Sequence, residues 1–198
     1  MKGSLKALYF LGVLAQIAIR LPHERRRNRT RIAVDRVGEL ERSLVGLLFV
    51  GSFFLPTLYA LTPWLDRADY HQSPLGGARM GGLGATIMAG ALWLFWRSHA
   101  DLGRNWSPSL QLREEHELVS GGVYRYIRHP MYASQWLWVI EQVLVLQNWI
   151  AGWAGLATFV PLYALRVPRE ERMMLDRFGG EYRAYMHRTG RVIPRLMG

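Results

Sequence analysis

Long apolar blocks alternate with arginine-rich segments along the chain. A helix that spans a bilayer needs about 20 mostly apolar residues. Five blocks approach that length and are bounded by charge or by turn residues: 4–21, 43–62, 76–96, 131–147 and 149–167. Only the region around Asn148 separates the last two, which is typical of a tight helical hairpin. The pattern predicts an all-α, polytopic membrane helix bundle with five transmembrane helices.

The arginines are confined to alternate connections between the blocks. They are concentrated in residues 22–42, 97–130 and the tail after 166. The 63–75 loop, in contrast, has Arg67 alone. Because cytoplasmic connections of membrane proteins carry an excess of Lys and Arg, we expect the N-terminus outside and the C-terminus inside a prokaryotic cytoplasmic membrane. Lys2 and Lys6 oppose this orientation.

The polar segments are too short and too rich in charge to form a second core. No repeat, low-complexity tract or flexible linker divides the chain. We therefore expect one integral-membrane domain over residues 1–198, with the segment 98–130 and the tail 168–198 folded onto its cytoplasmic face. Pro168 is followed by acidic residues, which predicts that a new helix starts there.

Composition narrows the classes of partner and cofactor. The net charge of +10 comes almost wholly from arginine, which suggests either nucleic acid or an anionic membrane surface as partner. The apolar blocks favour the membrane, so we expect membrane lipids, no nucleic acid and no obligate protein partner. Without cysteine, disulfides, thiolate nucleophiles and cysteine-based metal sites are excluded. His71, His99 and His187 have no ligand spacing, and we expect no metal.

The stretch GGVYRYIRHPMY, residues 121–132, lies directly before the fourth apolar block. Pro130 suits the first turn of a helix, which places Arg128 and His129 at the N-terminus, where free N–H groups favour an anion. A helical hairpin returns the outer ends of the fourth and fifth helices to the same leaflet. The side chains expected to converge there are Arg128, His129, Arg166, Glu170 and Glu171. Alternatively, the arginines only reach lipid headgroups.

This set of side chains suits a particular kind of ligand. Paired carboxylates bind an ammonium group, and arginine beside a helix N-terminus binds a carboxylate. Tyrosine rings cover an adenine or a cation. Together these groups fit a zwitterionic cofactor.

The order of these residues resembles that of a known family. The pattern HxLVxxGxYxxxRHPxY is present as His116, Leu118, Val119, Gly122, Tyr124, Arg128, His129, Pro130 and Tyr132. After the hairpin come Arg166-x-x-x-Glu170-Glu171 and the pattern FGxEYxxY at 178–185. Over roughly residues 40–195 this order resembles the isoprenylcysteine carboxyl methyltransferase family. The compact layout, with LGRNWS at 102–107, is similar to its prokaryotic members.

The resemblance implies an S-adenosyl-L-methionine-dependent methyltransferase that methylates the carboxylate of a lipid-linked acceptor, such as an isoprenylcysteine, and releases S-adenosyl-L-homocysteine. The acceptor would enter from the bilayer and face Arg128 and Arg166. The residues implied to line the cofactor pocket are His116, Leu118, Val119, Tyr124, His129, Pro130, Tyr132 and Glu170 or Glu171. The family's longer run of acidic residues is shortened here to Glu170-Glu171. Which of the two glutamates binds the cofactor therefore stays open.

The identity of the acceptor decides what chemistry the protein must supply. A terminal carboxylate, with a reference pKa of about 3.5, is already ionised at neutral pH and needs no general base. The protein then supplies alignment and a partly dry site. A phospholipid amine would need a base, with His129 or a glutamate as candidates. A small-thiol acceptor would react as the thiolate, and arginine would help it less specifically.

Two other classes of protein remain open. Membrane sterol reductases have a C-terminal part that is similar in its HxL…GxYxxxRHPxY pattern and uses that pattern to bind NADPH. This chain, however, has too few helices for the reductase fold. A non-enzymatic membrane scaffold is the other alternative. Within the fourth block, Glu141 is either a functional acid or a partner in a structural hydrogen bond between helices.

Overall fold

A computed structural model describes residues 2–27, 32–35, 38–103, 111–113 and 118–195. Within these ranges the chain forms six α-helices and two short strands. The helices are α1 (Lys2–Arg27), α2 (Glu39–Phe49), α3 (Leu55–Leu61), α4 (Pro74–Leu102), α5 (Pro130–Leu146) and α6 (Ala151–Arg188). The strands β1 (Ile32–Asp35) and β2 (Gln111–Arg113) pair in antiparallel fashion and join the two arginine-rich connections. The hydropathy pattern does not predict this two-stranded ribbon.

Each of the five apolar blocks is helical, and the predicted membrane helix bundle is confirmed. Within the described residues, three stretches are long and apolar enough to cross a membrane: Lys2–Glu24, Glu39–Leu61 and Pro74–Leu102. Helix α5 has 17 residues, and the fifth block forms the first half of α6. The number of five spans therefore stays a prediction.

The second span changes its winding in the middle. A π-helical turn, Val50–Phe54, joins α2 to α3 just before Pro56. Proline has no N–H, so the carbonyl of Ser52, four residues earlier, loses its usual helical donor. The Tyr9 hydroxyl of α1 donates to that carbonyl instead. A neighbouring helix thus satisfies the freed backbone group, as a membrane interior requires.

Small residues let α4 approach α5 closely. A Cβ atom on Gly84 would lie 2.6 Å from a methyl carbon of Val145, so a larger residue there would push the helices apart. The buried Gln142 amide donates to the carbonyls of Gly51 (2.9 Å) and Ala151 (2.7 Å), which links α5 to two further elements. Glu141 beside it is fully buried, and both carboxyl oxygens lack a hydrogen-bond partner among the described residues. The structural hydrogen bond considered for Glu141 is therefore not found there.

Asp69, in the connection between α3 and α4, links several segments at one end of the bundle. Its carboxylate accepts hydrogen bonds from Lys2 (2.6 Å), Tyr59 (2.7 Å) and Asn148 (2.9 Å). Asn148 also accepts from the Ala151 amide at the start of α6. The N-terminus, the α3–α4 connection and the α5–α6 turn therefore lie at the same end, and the arginine-rich segments begin at the opposite end. The positive charge of Lys2 is balanced at this end by its ion pair with Asp69.

Helix α6 does not end where the sequence predicts. It continues through Pro168, where the pattern predicts a new helix, and runs to Arg188. Val167 and Glu171 are buried on either side of the proline, and this packing outweighs the cost of one missing hydrogen bond. The helix is interrupted at Gly179, because this residue has a positive φ of 53°.

Candidate active site

A tight turn, Gly122–Arg125, lies within the HxLVxxGxYxxxRHPxY motif and leads toward α5. The Asp101 carboxylate at the end of α4 accepts from the Val123 amide (2.9 Å) and pairs with Arg97 (2.6 Å). Gly122 has a φ of 59°, and a side chain there would collide with Asp101. This glycine is thus required by both its backbone conformation and its neighbour.

Tyr124 of that turn is buried between α4 and α6. Its hydroxyl is 3.4 Å from the Ser98 carbonyl, and its own carbonyl accepts from the Tyr185 hydroxyl at 2.6 Å. The tyrosine therefore links the turn to both helices. Its predicted place in the cofactor pocket stays a prediction.

Pro130 begins α5, as predicted, and His129 precedes it with non-helical dihedral angles. The amides of Arg128 and His129 donate to the carbonyls of Gly190 and Arg191, both at 2.9 Å. These two N–H groups are therefore occupied by the segment that follows α6.

Glu171 lies at the centre of a cationic cluster. Arg128 Nε donates to Oε1 at 2.7 Å, and Arg191 Nη2 donates to Oε2 at 2.6 Å. His129 Nε2 is 3.3 Å from Oε1. Burial by itself would raise the pKa of the Glu171 carboxyl, but the hydrogen bonds from His129, Arg191 and Arg128 outweigh burial and hold this pKa far below its ordinary value. Glu171 is therefore ionised and serves as the shared counter-ion.

Glu170 has a different environment from its neighbour. Its carboxylate accepts from the Tyr132 hydroxyl at 2.8 Å, and Oε1 is 4.0 Å from His129 Nδ1. About a third of the Glu170 side chain is exposed, against 5% for Glu171. Of the two glutamates, Glu170 is the one that a ligand can reach.

Arg166 also lies next to Tyr132. Its guanidinium carbon is 6.0 Å from the centre of the Tyr132 ring, within cation–π range. Nη1 is 3.0 Å from Oε1 of Glu41, on α2. Tyr132 thus contacts a partly exposed carboxylate with its hydroxyl and lies next to a largely buried guanidinium.

The structure brings together most of the predicted site residues. Arg128, His129, Tyr132, Glu170 and Glu171 are in direct contact, and Arg166 joins them through Tyr132. Leu118 and Val119 are partly buried in the segment before the turn. His116, the first residue of the motif, lies outside the described residues.

Three residues of the cluster are absent from the sequence prediction: Glu41, Thr189 and Arg191. Thr189 accepts from Arg128 Nη1 at 2.6 Å through its carbonyl, which any residue type could do, so no sequence signal marks it. Arg191 lies in a non-helical segment, where hydrophobic periodicity does not predict which way a side chain faces. Glu41 had a usable signal, since it is an acid next to an apolar block and therefore needs a cationic partner if buried.

Comparison with known proteins gives a consistent match over this region. Residues 83–176 match the model of the isoprenylcysteine carboxyl methyltransferase (ICMT) family. The chain is 32% identical over 94 residues to protein-S-isoprenylcysteine O-methyltransferase B of Arabidopsis thaliana, covering 46% of this chain and 48% of that protein. It is 33% identical over 85 residues to the Homo sapiens protein-S-isoprenylcysteine O-methyltransferase, covering 43% and 30%. The chain thus spans about half or less of the length of these relatives.

A solved structure, the eukaryotic intramembrane Ras methyltransferase ICMT, matches with a TM-score of 0.43 and 24% identity over 82% of this chain and 54% of that one. The matched family segment contains α5, the first part of α6 and the six contacting side chains from Arg128 to Glu171. Glu41 and Arg191 lie outside it. The resemblance noted in the motif is confirmed: residues 83–176 of this integral membrane chain match the isoprenylcysteine carboxyl methyltransferase family.

Proposed function

We propose that the protein transfers a methyl group from S-adenosyl-L-methionine to the carboxylate of a lipid-linked acceptor such as an isoprenylcysteine. The relatives reported above are named for O-methylation of isoprenylcysteine. The observation that carries the proposal is that Tyr132 lies next to both Glu170 and Arg166. The partly exposed carboxylate suits a cationic ligand, and the guanidinium suits an anionic one.

The residues around Glu170 fit the methyl donor. S-Adenosyl-L-methionine carries an ammonium and a sulfonium group, and a partly exposed carboxylate beside tyrosine and histidine suits such cations. In this proposal Glu170, His129 and Tyr132 hold the donor's charged part. The wider lining comprises His116, Leu118, Val119, Tyr124 and Pro130. Glu171 is buried as the counter-ion of Arg128 and has a supporting role.

When bound, the donor supplies a methyl group on a sulfonium sulfur, and transfer leaves a neutral ester and a neutral thioether with no proton to move. Arg166 holds one oxygen of the acceptor's carboxylate and leaves the other free to react. Arg128 is already bonded to Glu171 and to the Thr189 carbonyl, so its part is to fix this cluster in place. Alignment and exclusion of water are what the side chains contribute.

The distribution of arginines supports an active site on the cytoplasmic face, with the N-terminus outside. On that arrangement the soluble donor reaches Glu170 from the cytoplasm. The lipid-borne acceptor reaches Arg166 from the bilayer.

The proposal is tested with purified protein in detergent, radiolabelled S-adenosyl-L-methionine and an amine-blocked farnesylcysteine. We expect a labelled product that releases methanol in base, as a methyl ester does. Label on a phospholipid amine or on a small thiol would support those acceptors instead. Calorimetry with S-adenosyl-L-homocysteine and with NADPH separates the reductase alternative, since binding of NADPH alone would contradict the proposal.

A further inference from the structure

Glu41 is a buried acid in the first turn of α2, on a helix that lies outside the segment matched by the family. Its side chain is 4% exposed, and Oε1 lies 3.0 Å from Nη1 of Arg166. A buried carboxylate is costly unless a cation compensates for it. Arg166 is therefore the counter-ion of Glu41.

The geometry of this pair differs from that of the Glu171 pairs. Arg128 and Arg191 donate aligned hydrogen bonds to Glu171, whereas Oε1 of Glu41 receives no aligned hydrogen bond from any described residue. The contact between Nη1 and Oε1 is a short charge–charge interaction without an aligned hydrogen bond. Such a contact is weaker than a bidentate one and can be exchanged for a better carboxylate.

We propose that Glu41 is a built-in competitor that pairs with Arg166 until the acceptor's carboxylate replaces it, so that Glu41 sets the preference between acidic substrate and neutral ester product. This inference rests on the proposed function. Once the acceptor is methylated, its neutral ester no longer competes with Glu41 for Arg166. The returning Glu41 then favours release of the product.

The inference predicts a specific change when Glu41 loses its charge. In Glu41→Gln the acidic acceptor no longer competes with a neighbouring carboxylate, and its affinity should rise roughly fivefold or more. The methyl ester is neutral, so its affinity should change much less. The ratio of acid affinity to ester affinity therefore rises, whereas a general disturbance of the site would weaken both ligands.

The experiment measures dissociation constants of farnesylcysteine acid and its methyl ester by calorimetry, with S-adenosyl-L-homocysteine present so that no transfer occurs. Both ligands are titrated into the same preparation, so a partly unfolded sample lowers the number of sites and leaves the ratio intact. Glu39→Gln removes an exposed charge two residues away and should keep the wild-type ratio. Glu41→Asp retains the charge and should lie close to wild type.

An unchanged or reduced acid-to-ester ratio in Glu41→Gln would overturn the role of Glu41, provided that the wild-type protein methylates and binds the acid. If the wild-type protein neither binds the acid nor methylates it, the proposed function itself fails. The first failure is measured on Glu41→Gln and the second on the wild-type protein, so the two can be distinguished.

Discussion

The two ends of the bundle each contain a carboxylate that accepts hydrogen bonds from three side chains, yet their donors differ. At one end Asp69 is bonded to Lys2, Tyr59 and Asn148, of which only the lysine is a fixed cation. At the other end Glu171 is bonded to two arginines and a histidine. Neutral donors satisfy a carboxylate without adding charge to the cluster. Arginines add positive charge, which further anions nearby must balance.

This difference separates a structural clamp from a candidate reaction site. The Asp69 cluster joins the N-terminus to two connections, and its only cation among the described residues is a largely exposed lysine. The Glu171 cluster continues through His129 and Tyr132 to the partly exposed Glu170 and to Arg166. Groups of both charges next to one tyrosine suit two ligands of opposite charge. We therefore expect changes at Asp69 to affect stability and changes near Tyr132 to affect catalysis.

The largest expected effect is that of Arg166→Ala. Loss of the group that holds the acceptor's carboxylate should lower kcat/KM for methyl transfer by about a hundredfold or more, because misplacement of a reacting group carries a cost of this size. The rate of label transfer to farnesylcysteine checks it. Arg169→Ala is the matched control, since Arg169 is exposed on the same helix and should retain nearly full activity.

Glu171→Gln should both destabilise the protein and reduce activity. Removal of one partner from a buried ion pair costs about 3 kcal/mol, because Arg128 is left without compensation. Thermal unfolding in detergent measures the loss, and Glu181→Gln, which removes an exposed acid from α6, should show almost none. A Glu171→Gln protein as stable as wild type would mean that this cluster is not the anchor of the site.

Asp69→Asn should lower stability by about 1 kcal/mol and leave kcat unchanged in the folded fraction. The asparagine keeps part of the hydrogen bonding and loses only the Lys2 ion pair. Asp66→Asn, in the same connection but exposed, provides the control. Reduced kcat at constant folded fraction would remove the distinction between the two ends.

A smaller effect is expected from pH. The pKa of Glu171 is lower in the folded protein than in the unfolded chain, so its contribution to stability is complete above the unfolded value and is lost as the pH falls toward the folded one. Between about pH 5 and about pH 3.5, wild type should lose up to about 1 kcal/mol more stability than Glu171→Gln. Unfolding curves at several pH values measure this difference, and parallel curves would contradict it.

Much of the site follows from the sequence because helix geometry determines it. A hairpin of two helices must bring Arg128 and His129 close to Glu170 and Glu171, and Pro130 marks the start of the second-last helix. The family motif adds the proposed identity of the ligands. These inferences need only the positions of apolar blocks and prolines.

Other features depend on contacts that no local pattern encodes. The pairing of residues 126–129 with residues 190–191 involves backbone groups, which every residue carries. The approach of Glu41 to Arg166 depends on the rotation of α2 about its axis. The continuation of α6 through Pro168 depends on packing on both sides of the proline. Each of these requires the tertiary arrangement.

The most direct test of the account is a comparison of ligand affinities in Glu170→Gln and Arg166→Ala. Calorimetry of each variant with S-adenosyl-L-homocysteine and with farnesylcysteine acid gives four dissociation constants. We expect Glu170→Gln to weaken only the homocysteine derivative and Arg166→Ala to weaken only the acid, each roughly tenfold. If both variants weaken the same ligand, or neither variant weakens any, Glu170 and Arg166 do not serve two different ligands.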